Sequence, residues 1–395
     1  MYYCHSIEID FQHTRMKKKF ILASLIFVII LGYLLLPPYL INVLTHGNPG
    51  LDDYTFFNNR TVAAGKPQPW KESQTKNHVV LPDSFLVQME AFDPAAFLII
   101  QNGEIIYERY WDGFTEHTLS NSFSAAKSIV GLMVGIALDE GLIDSLNQSV
   151  GDFLPAYAEG EKKNIRIRDL LTMSSGLNWE EAYTSPFSVT TQAYYGDDLP
   201  ALMNGLEVID TPGKKNNYLS SNAELLAMVL TRATGKTLSE YASEKLWKKI
   251  GASDDALWSL DQANGIEKAF CCFNSNARDI ARVGQLVLNK GRWNHDQVVS
   301  EKYLTEATTP ANYLLDDHAK PVDFYGFQWW IINYRGQQIP YMRGLLGQYV
   351  FVLPDQNAVI VRLGYKRSKI YIGEHTEDIY MYLKVGEYIL SKSPS

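Results

Sequence analysis

Residues 121–141 read NSFSAAKSIVGLMVGIALDEG, a short polar start followed by an almost uninterrupted apolar run. This pattern predicts a buried helix that begins at Ser124. Ser124 and Lys127 are three positions apart, so their side chains share one face of that helix. A buried helix has no structural need for a lysine in its first turn. Either Lys127 reaches a surface or it has a chemical role.

The start of a helix suits a nucleophilic serine, because free N–H groups and the positive dipole end stabilise an alkoxide there. The apolar helix would desolvate Lys127 and make it a plausible general base for Ser124. The spacing alone is a weak signal, since Ser-x-x-Lys also occurs at Ser73 and Lys76, in a polar stretch with no helix after it. The alternative is that Ser124 only caps the helix and Lys127 is exposed.

Two later segments add candidates for the same chemistry. Tyr218 and Ser220 precede a predicted helix, and a tyrosine hydroxyl near a lysine ammonium can relay a proton. In residues 341–354, YMRGLLGQYVFVLP, Gly344 interrupts a strand pattern, which often marks a close approach of the backbone to another group. Backbone N–H groups at that edge could form an oxyanion hole with the N–H of Ser124. A core tyrosine and a simple β-bulge are the alternative interpretations.

The order of these motifs resembles the serine β-lactamase and penicillin-binding-protein superfamily. The resemblance is strongest to its class C-like branch, which includes esterases, D-aminopeptidases and 6-aminohexanoate-dimer hydrolases. It covers roughly residues 82–390. The segments IRIRDLLTMSSGLNW, ATGKTLSEYASEKLWKKIG and GLLGQYVFVLP also resemble that branch and make the match more specific than Ser-x-x-Lys alone.

The resemblance implies a catalytic role for four positions. Ser124 would be the acylated nucleophile, and Lys127 would be the cation or base that activates it. Tyr218 would relay protons in acylation and deacylation. The backbone N–H groups of Ser124 and Leu345 would form the oxyanion hole.

The resemblance also implies substrate contacts from Ser220, Arg343 and Gly344. Ser220 stands where the branch often has an asparagine. Met342 stands where lactamases and peptidases have the lysine of Lys-Thr-Gly, which attracts the substrate carboxylate, so β-lactam hydrolysis is in doubt. Arg343 could bind a carboxylate or have a structural role.

Strand patterns lie at both ends of the globular region, and helical patterns lie between them. Residues 95–111 contain two β-rich runs around Asn102-Gly103, a strong hairpin signal. We therefore predict an α+β fold with an antiparallel sheet formed from the N- and C-terminal segments, flanked by helices, and a large mainly helical insertion domain. The predicted hydrolase domain covers residues 82–395, with the sheet part at about 82–111 and 321–395 and the helical part at about 112–320.

The N-terminal region resembles a membrane anchor. Basic residues at 15 and 17–19 precede an uncharged run at 20–36, which extends to about 44 with few interruptions and is then long enough for one membrane span, though short if Pro37 ends it. The positive-inside rule then places the catalytic domain on the extracytoplasmic, periplasmic side of a bacterial-type cell membrane. We predict a stub and single uncleaved anchor at 1–44, with a cleaved signal peptide as the alternative, and a tether at 45–81.

Charge and residue composition bear on the partners and cofactors that this protein could have. The formal charge of −8 argues against a nucleic-acid partner. The eight histidines show no Cys/His metal spacing, and the proposed chemistry needs neither a metal nor an organic cofactor. Cys271 and Cys272 are too close for an ordinary disulfide, so buried core cysteines are the favoured interpretation.

The sequence thus predicts a membrane-anchored serine hydrolase that cleaves an ester or amide through an acyl-enzyme on Ser124. Its partner would be a small-molecule or peptide-like acyl substrate. Two alternatives stay open: a cell-wall DD-peptidase or β-lactamase, and a non-catalytic sensor of peptidoglycan or β-lactams.

Overall fold

The computed structural model describes residues 15–27, 32, 36–183 and 185–393. Residues 15–27 form a helix that precedes the numbered elements. The strands among these residues are β1 (Asn59–Val62), β2 (Lys71–Glu72), β3 (Pro94–Gln101), β4 (Glu104–Tyr110), β5 (Ser120–Asn121), β6 (Ala256–Ser259), β7 (Phe273–Ser275), β8 (Arg292–Trp293), β9 (Asp296–Gln297), β10 (Trp330–Tyr334), β11 (Gln337–Gly344), β12 (Gln348–Leu353), β13 (Ala358–Gly364), β14 (Tyr371–Ile372) and β15 (His375–Thr376). The α-helices are α1 (Pro38–His46), α2 (Asp83–Glu90), α3 (Ala126–Asp139), α4 (Ile167–Leu171), α5 (Val189–Tyr195), α6 (Leu199–Asn204), α7 (Ser220–Thr234), α8 (Leu238–Ala242), α9 (Ala277–Leu288), α10 (Glu301–Ala307) and α11 (Glu377–Lys392).

The largest sheet has the strand order β10-β11-β12-β13-β3-β4-β2 and therefore joins the two ends of the chain. Its strands are antiparallel, except that β2 is parallel to β4. The predicted hairpin between β3 and β4 is present. Asn102 and Gly103 have φ angles of 54° and 78°, the left-handed pair that a tight two-residue turn requires. The predicted α+β architecture is confirmed.

Helices cover both faces of this sheet and fix its position in the domain. Helix α9 packs on one face at Gly284, where an added Cβ would lie 2.8 Å from side-chain atoms of Val350 and Val359. Helix α11 packs on the other face at Gly386, where an added Cβ would lie 2.2 Å from Ile360. Glycine at these two positions lets the helices approach the sheet closely.

Helix α3 lies at the centre of the domain between the sheet and the helical part. Its residues from Ala126 to Ala137 are all buried, and it contacts both α7 and α10. At Gly135 an added Cβ would lie 2.4 Å from the ring of Tyr303, and the hydroxyl of Ser128 donates to the carbonyl of Gln328 at 2.6 Å. The first turn of α3 is thereby held in a fixed place relative to its neighbours.

The predicted membrane anchor and the periplasmic location derived from it are wrong. Among the described residues, none of the helices combines the length and apolar character that crossing a bilayer needs. Residues 28–31 and 33–35 of the predicted span lie outside the described residues. Pro37 and Pro38 begin the separate helix α1, since proline fits a first helical turn but not a helix interior. Tyr39 and Val43 of α1 pack against the domain core.

The segment predicted as a tether contributes strands to two sheets. Strand β1 pairs with β6 in the second sheet, of order β1-β6-β7-β5, and β2 pairs with β4 in the first. The same segment is bonded to helix α9, because the indole N–H of Trp70 donates to the carbonyl of Arg278 at 2.8 Å. These pairings place residues 59–72 on the domain.

Candidate active site

Ser124 lies in a short 3₁₀ turn, Phe123–Ala125, immediately before α3. The turn is held from both sides. Asn121 Oδ1 accepts the N–H of Phe123 at 2.9 Å, and Phe123 has a φ of 45°, unusual for a non-glycine residue. The N–H of Ser122 donates to the carbonyl of Phe273 at 3.0 Å. The structure therefore fixes the backbone of the turn and leaves Ser124 half-buried at the edge of two cavities.

Lys127 does not reach the surface, because its side chain is 1% exposed. Its Nζ donates to Ser124 Oγ at 2.9 Å, to Ser220 Oγ at 3.1 Å and to the carbonyl oxygen of Phe270 at 2.8 Å. These three acceptors match the three donors of an ammonium group. The structure thus brings Ser124, Lys127 and Ser220 together as the sequence predicts.

Tyr218 contributes its ring to this group of residues. Lys127 Nζ lies 5.2 Å from the ring centroid of Tyr218, and the ring packs against Tyr325 and Trp330 at centroid distances of 5.9 and 5.2 Å. Among the described residues, the Tyr218 hydroxyl has no hydrogen-bond partner, although Tyr218 and Ser124 line the same cavity. The ring is therefore positioned by packing.

Glu181 is a residue that the sequence analysis missed. Its carboxylate accepts the hydroxyl of Ser220 at 2.6 Å, the N–H of Ser220 at 2.7 Å and the indole N–H of Trp179 at 2.8 Å, and the hydroxyl of Tyr183 also donates to it. A continuous hydrogen-bonded chain therefore runs from Lys127 through Ser220 to Glu181. Glu181 lies in a loop without periodicity, so the sequence carried no signal for it.

The end of β11 lies directly against the turn that carries Ser124. A Cβ added at Gly344 would lie only 2.2 Å from the carbonyl oxygen of Ser122, so this position accepts no side chain. Leu345 follows and lines both cavities together with Ser124. The glycine therefore permits the close approach of the end of β11 to the turn that carries Ser124.

Arg362 holds the turn after Gly344 and was also missed. It is fully buried, and its guanidinium donates to the carbonyls of Leu346 and Gly347, both at 2.7 Å. Gln348 Nε2 donates to the carbonyl of Leu345 at 3.1 Å. An arginine inside the apolar run AVIVRLG is a signal that could have identified this role, because a buried charge needs several partners.

Arg343 and Met342 have opposite surroundings. Met342 is fully buried in the hydrophobic core, whereas the guanidinium of Arg343 lies 3.3 Å from the ring centroid of Trp330 and donates to the carbonyl of Glu374 at 2.7 Å. Arg343 lines a cavity with Ser124 and Gly344. Burial, together with the charge of Arg343, lowers the pKa of His375 to about 3.

Two cavities adjoin Ser124 and differ in chemistry. The first, here called the polar cavity, has a volume of about 100 Å³ and is lined by Glu181, Tyr218, Arg343, Gly344, Arg367 and Tyr371. The second, here called the apolar cavity, has a volume of about 250 Å³, and its walls include Val43, Phe123, Tyr194, Tyr195, Phe270 and Cys271. Ser124, Tyr183 and Leu345 border both cavities. A substrate carbonyl at Ser124 would therefore have one substituent in each.

The segment that supplies the Phe270 carbonyl is itself constrained. The N–H of Ala269 donates to Glu224 Oε2 at 2.8 Å, and burial raises the pKa of Glu224 to about 8. Cys271 and Cys272 are buried, as predicted, but they form a disulfide with each other, which the sequence analysis had judged too close for an ordinary bridge. These constraints fix the third acceptor of Lys127.

Comparison with known proteins places this geometry in a family. Residues 84–368 match the family model described as Beta-lactamase. A 6-aminohexanoate-dimer hydrolase from Paenarthrobacter ureafaciens is 31% identical over 287 residues, which cover 68% of this chain and 71% of that protein.

Solved structures share the fold at lower sequence identity. A proposed 6-aminohexanoate-dimer hydrolase from Bacillus anthracis has a TM-score of 0.68 at 21% identity, covering 86% of this chain and 93% of its own. A family VIII carboxylesterase has a TM-score of 0.59 at 19% identity, covering 78% of this chain and 96% of its own. At these identities the likeness concerns the fold.

Proposed function

Because the chain belongs to the beta-lactamase family and is a serine hydrolase, we propose that it cleaves an ester or amide bond by acyl transfer to Ser124. One observation carries the proposal. Lys127 Nζ lies 2.9 Å from Ser124 Oγ while the lysine is 1% exposed. A nucleophile and a base within hydrogen-bonding distance, in a site shielded from water, are what covalent acyl transfer needs.

The hydrogen-bonded chain offers a route for the proton. Ser220 Oγ accepts from Lys127 Nζ and donates to Glu181 Oε1, so a proton can leave the ammonium through Ser220 to the carboxylate. The neutral amine then takes the proton of Ser124 as Oγ attacks the substrate carbonyl. Tyr218 lines the same cavity as Ser124, and its hydroxyl would give a proton to the leaving group. Water would release the acyl group by the same steps in reverse order.

The oxyanion of the tetrahedral intermediate would be bound by the N–H groups of Ser124 and Leu345. A donor of this kind contributes on the order of 10²–10³-fold to the rate. Two observations support this assignment. Gly344 has no side chain, which lets the end of β11 approach the turn of Ser124. Arg362 donates to the carbonyls of Leu346 and Gly347, which holds the strand end there.

Substrate recognition would divide between the cavities. The two arginines of the polar cavity, Arg343 and Arg367, outnumber its one carboxylate, Glu181, which favours a carboxylate or another polar group on one side of the scissile bond. Ser220 and Gly344 would contact the substrate next to Ser124. Met342 lies in the core, so the lysine that lactamases use has no counterpart at this position. We therefore rank small esters and amides above β-lactams.

The test is active-site labelling followed by turnover. A fluorophosphonate probe should add its mass to Ser124 in the full-length protein, and Ser124→Ala should abolish both the label and ester hydrolysis. The matched control is Ser84→Ala, an exposed serine of α2 that lines neither cavity, which should retain both. A fluorescent penicillin run in parallel separates the alternatives. Stable acylation by it without turnover of any ester would indicate a sensor, and rapid penicillin turnover would indicate a lactamase.

A further inference from the structure

One wall of the apolar cavity comes from outside the region that matches the family. Val43, Gly47, Asn48 and Pro49 line this cavity together with Ser124, whereas the family match begins at residue 84. These residues belong to α1 and the loop after it, here called the N-terminal arm (residues 38–50). The arm therefore borders the nucleophile although it lies outside the matched region.

The N-terminal arm is attached to the rest of the cavity wall by specific contacts. Asn42 Nδ2 donates to the carbonyl of Tyr195 at 2.9 Å, and the hydroxyl of Tyr195 donates to the carbonyl of Gly47 at 2.8 Å. The ring of His46 stacks on Phe56 with centroids 3.8 Å apart. Because Tyr195 itself lines the cavity, the arm and α5 form one wall.

Charge is unevenly distributed between the two sides of Ser124. None of the described residues that line the apolar cavity is charged. Apart from Lys127, which is bonded to Ser124 from inside the domain, the charged groups near Ser124 are Glu181, Arg343 and Arg367, and these line the polar cavity. A charged group placed in the apolar cavity would lose its hydration without gaining a partner of opposite charge, which is strongly unfavourable.

We propose that the N-terminal arm selects substrates in which one group on the scissile carbonyl is an uncharged, mainly apolar chain or ring that fills the apolar cavity. The inference rests on the proposed acylation of Ser124. A cavity of about 250 Å³ corresponds to roughly eight water molecules at their share of liquid volume, so a chain of medium length fits and a polymer does not. Val43 and Pro49 are the apolar side chains that the arm contributes to this cavity.

The experiment compares two series of p-nitrophenyl and alkyl esters in the full-length protein. One series varies the acyl chain from acetate to dodecanoate, and the other varies the alcohol of an acetate ester. In Val43→Trp the indole should occupy part of the cavity and move the best substrate of one series to a shorter chain. The longest chains should lose on the order of 10-fold or more in kcat/KM for each excluded methylene. Val43→Ala should move the preference towards longer chains.

Leu44→Trp provides the matched control, because Leu44 is the next residue of α1, is 70% exposed and does not line the cavity. It should keep the wild-type chain-length profile. The inference is overturned if Val43→Trp and Val43→Ala both keep that profile, or if substrates charged on this side are hydrolysed best. Fluorophosphonate labelling of Ser124 in every variant separates the two proposals. Labelled protein with an unchanged profile refutes only the role of the arm, whereas unlabelled wild-type protein refutes the proposed function.

Discussion

Gly344→Ala tests whether the contact between β11 and the nucleophile turn is necessary for catalysis. The new Cβ would lie 2.2 Å from the carbonyl oxygen of Ser122, whereas real Cβ contacts are essentially never shorter than 3.0 Å. The two backbones must therefore separate by about 0.8 Å, the difference between these two distances. Leu345 is the next residue, so its N–H would move away from Ser124 by a similar amount.

A displacement of about 1 Å in a catalytic site can reduce the rate on the order of 100-fold. That factor corresponds to about 2.7 kcal/mol of lost transition-state stabilisation. Because the proposed contact stabilises the oxyanion, we expect kcat to fall with little change in KM. Steady-state hydrolysis of a small ester measures both constants, and the rate of fluorophosphonate labelling reports acylation directly. Overpacking should also lower the free energy of unfolding by about 1–3 kcal/mol.

Gly205→Ala is the matched control. Gly205 follows α6, lines neither cavity, and an added Cβ there would lie 3.4 Å from its nearest neighbour, an ordinary contact. This variant should keep wild-type kcat and stability. The reasoning is refuted if Gly344→Ala is acylated at the wild-type rate, or if its loss of activity only follows a loss of folded protein in urea titrations at the assay temperature.

Three further substitutions test other parts of the site. Glu181→Gln keeps an acceptor for the backbone N–H of Ser220 but removes the carboxylate at the end of the hydrogen-bonded chain from Lys127. We expect kcat to fall about 10²-fold while the free energy of unfolding stays unchanged. A wild-type kcat would exclude the proton relay. Arg362→Met removes the side-chain donors to the carbonyls of Leu346 and Gly347 and should lower the free energy of unfolding by about 3 kcal/mol. Urea titration measures this loss. An unchanged midpoint of the urea transition would contradict the structural role of Arg362. Burial and the charge of Arg343 lower the pKa of His375 to about 3, so the unfolded chain binds the proton more tightly than the folded one. The neutral His375 therefore contributes to the free energy of unfolding in full above its ordinary pKa of about 6.5. This contribution is lost as the pH falls towards 3, by at most about 1.4 kcal/mol per pH unit. His375→Gln should remove this part of the acid sensitivity, as measured by urea titrations at several pH values.

The parts of the site that the sequence predicts are those set by local geometry. Ser124 and Lys127 share a helix face because of their spacing, and the surrounding apolar residues bury the lysine wherever the helix packs. Asn102-Gly103 fixes a hairpin for a similarly local reason. Gly344 is noticed because a glycine is unusual in a strand, although only the structure identifies the carbonyl of Ser122 as its neighbour. Tyr218 is close to Lys127 through packing with Tyr325 and Trp330, which no spacing encodes.

The parts that sequence reasoning missed depend on contacts between distant segments. Glu181 meets Ser220 across 39 residues of chain, and Arg362 meets Phe92 across 270. The N-terminal region was misinterpreted for a related reason. Hydropathy records that a run is apolar but does not establish that it forms one helix of the length that a bilayer requires. Tyr39 and Val43, which follow that run, pack on the domain from α1, a helix that begins at Pro38.

Lys127 is an unfavourable residue for the fold and therefore an informative one for the chemistry. It is 1% exposed, and its three hydrogen-bond acceptors are two hydroxyls and a carbonyl, none of them charged. Burial of an ion costs several kcal/mol even after relaxation, and apolar residues of similar volume fill such positions without that cost. The carboxylate of Glu181 is one hydroxyl away, close enough to stabilise the ammonium and to exchange a proton with it through Ser220. Packing alone would favour a leucine or a methionine at this position of α3, so stability does not account for the arrangement of Lys127, Ser220 and Glu181 around Ser124, whereas the proposed acyl transfer requires it.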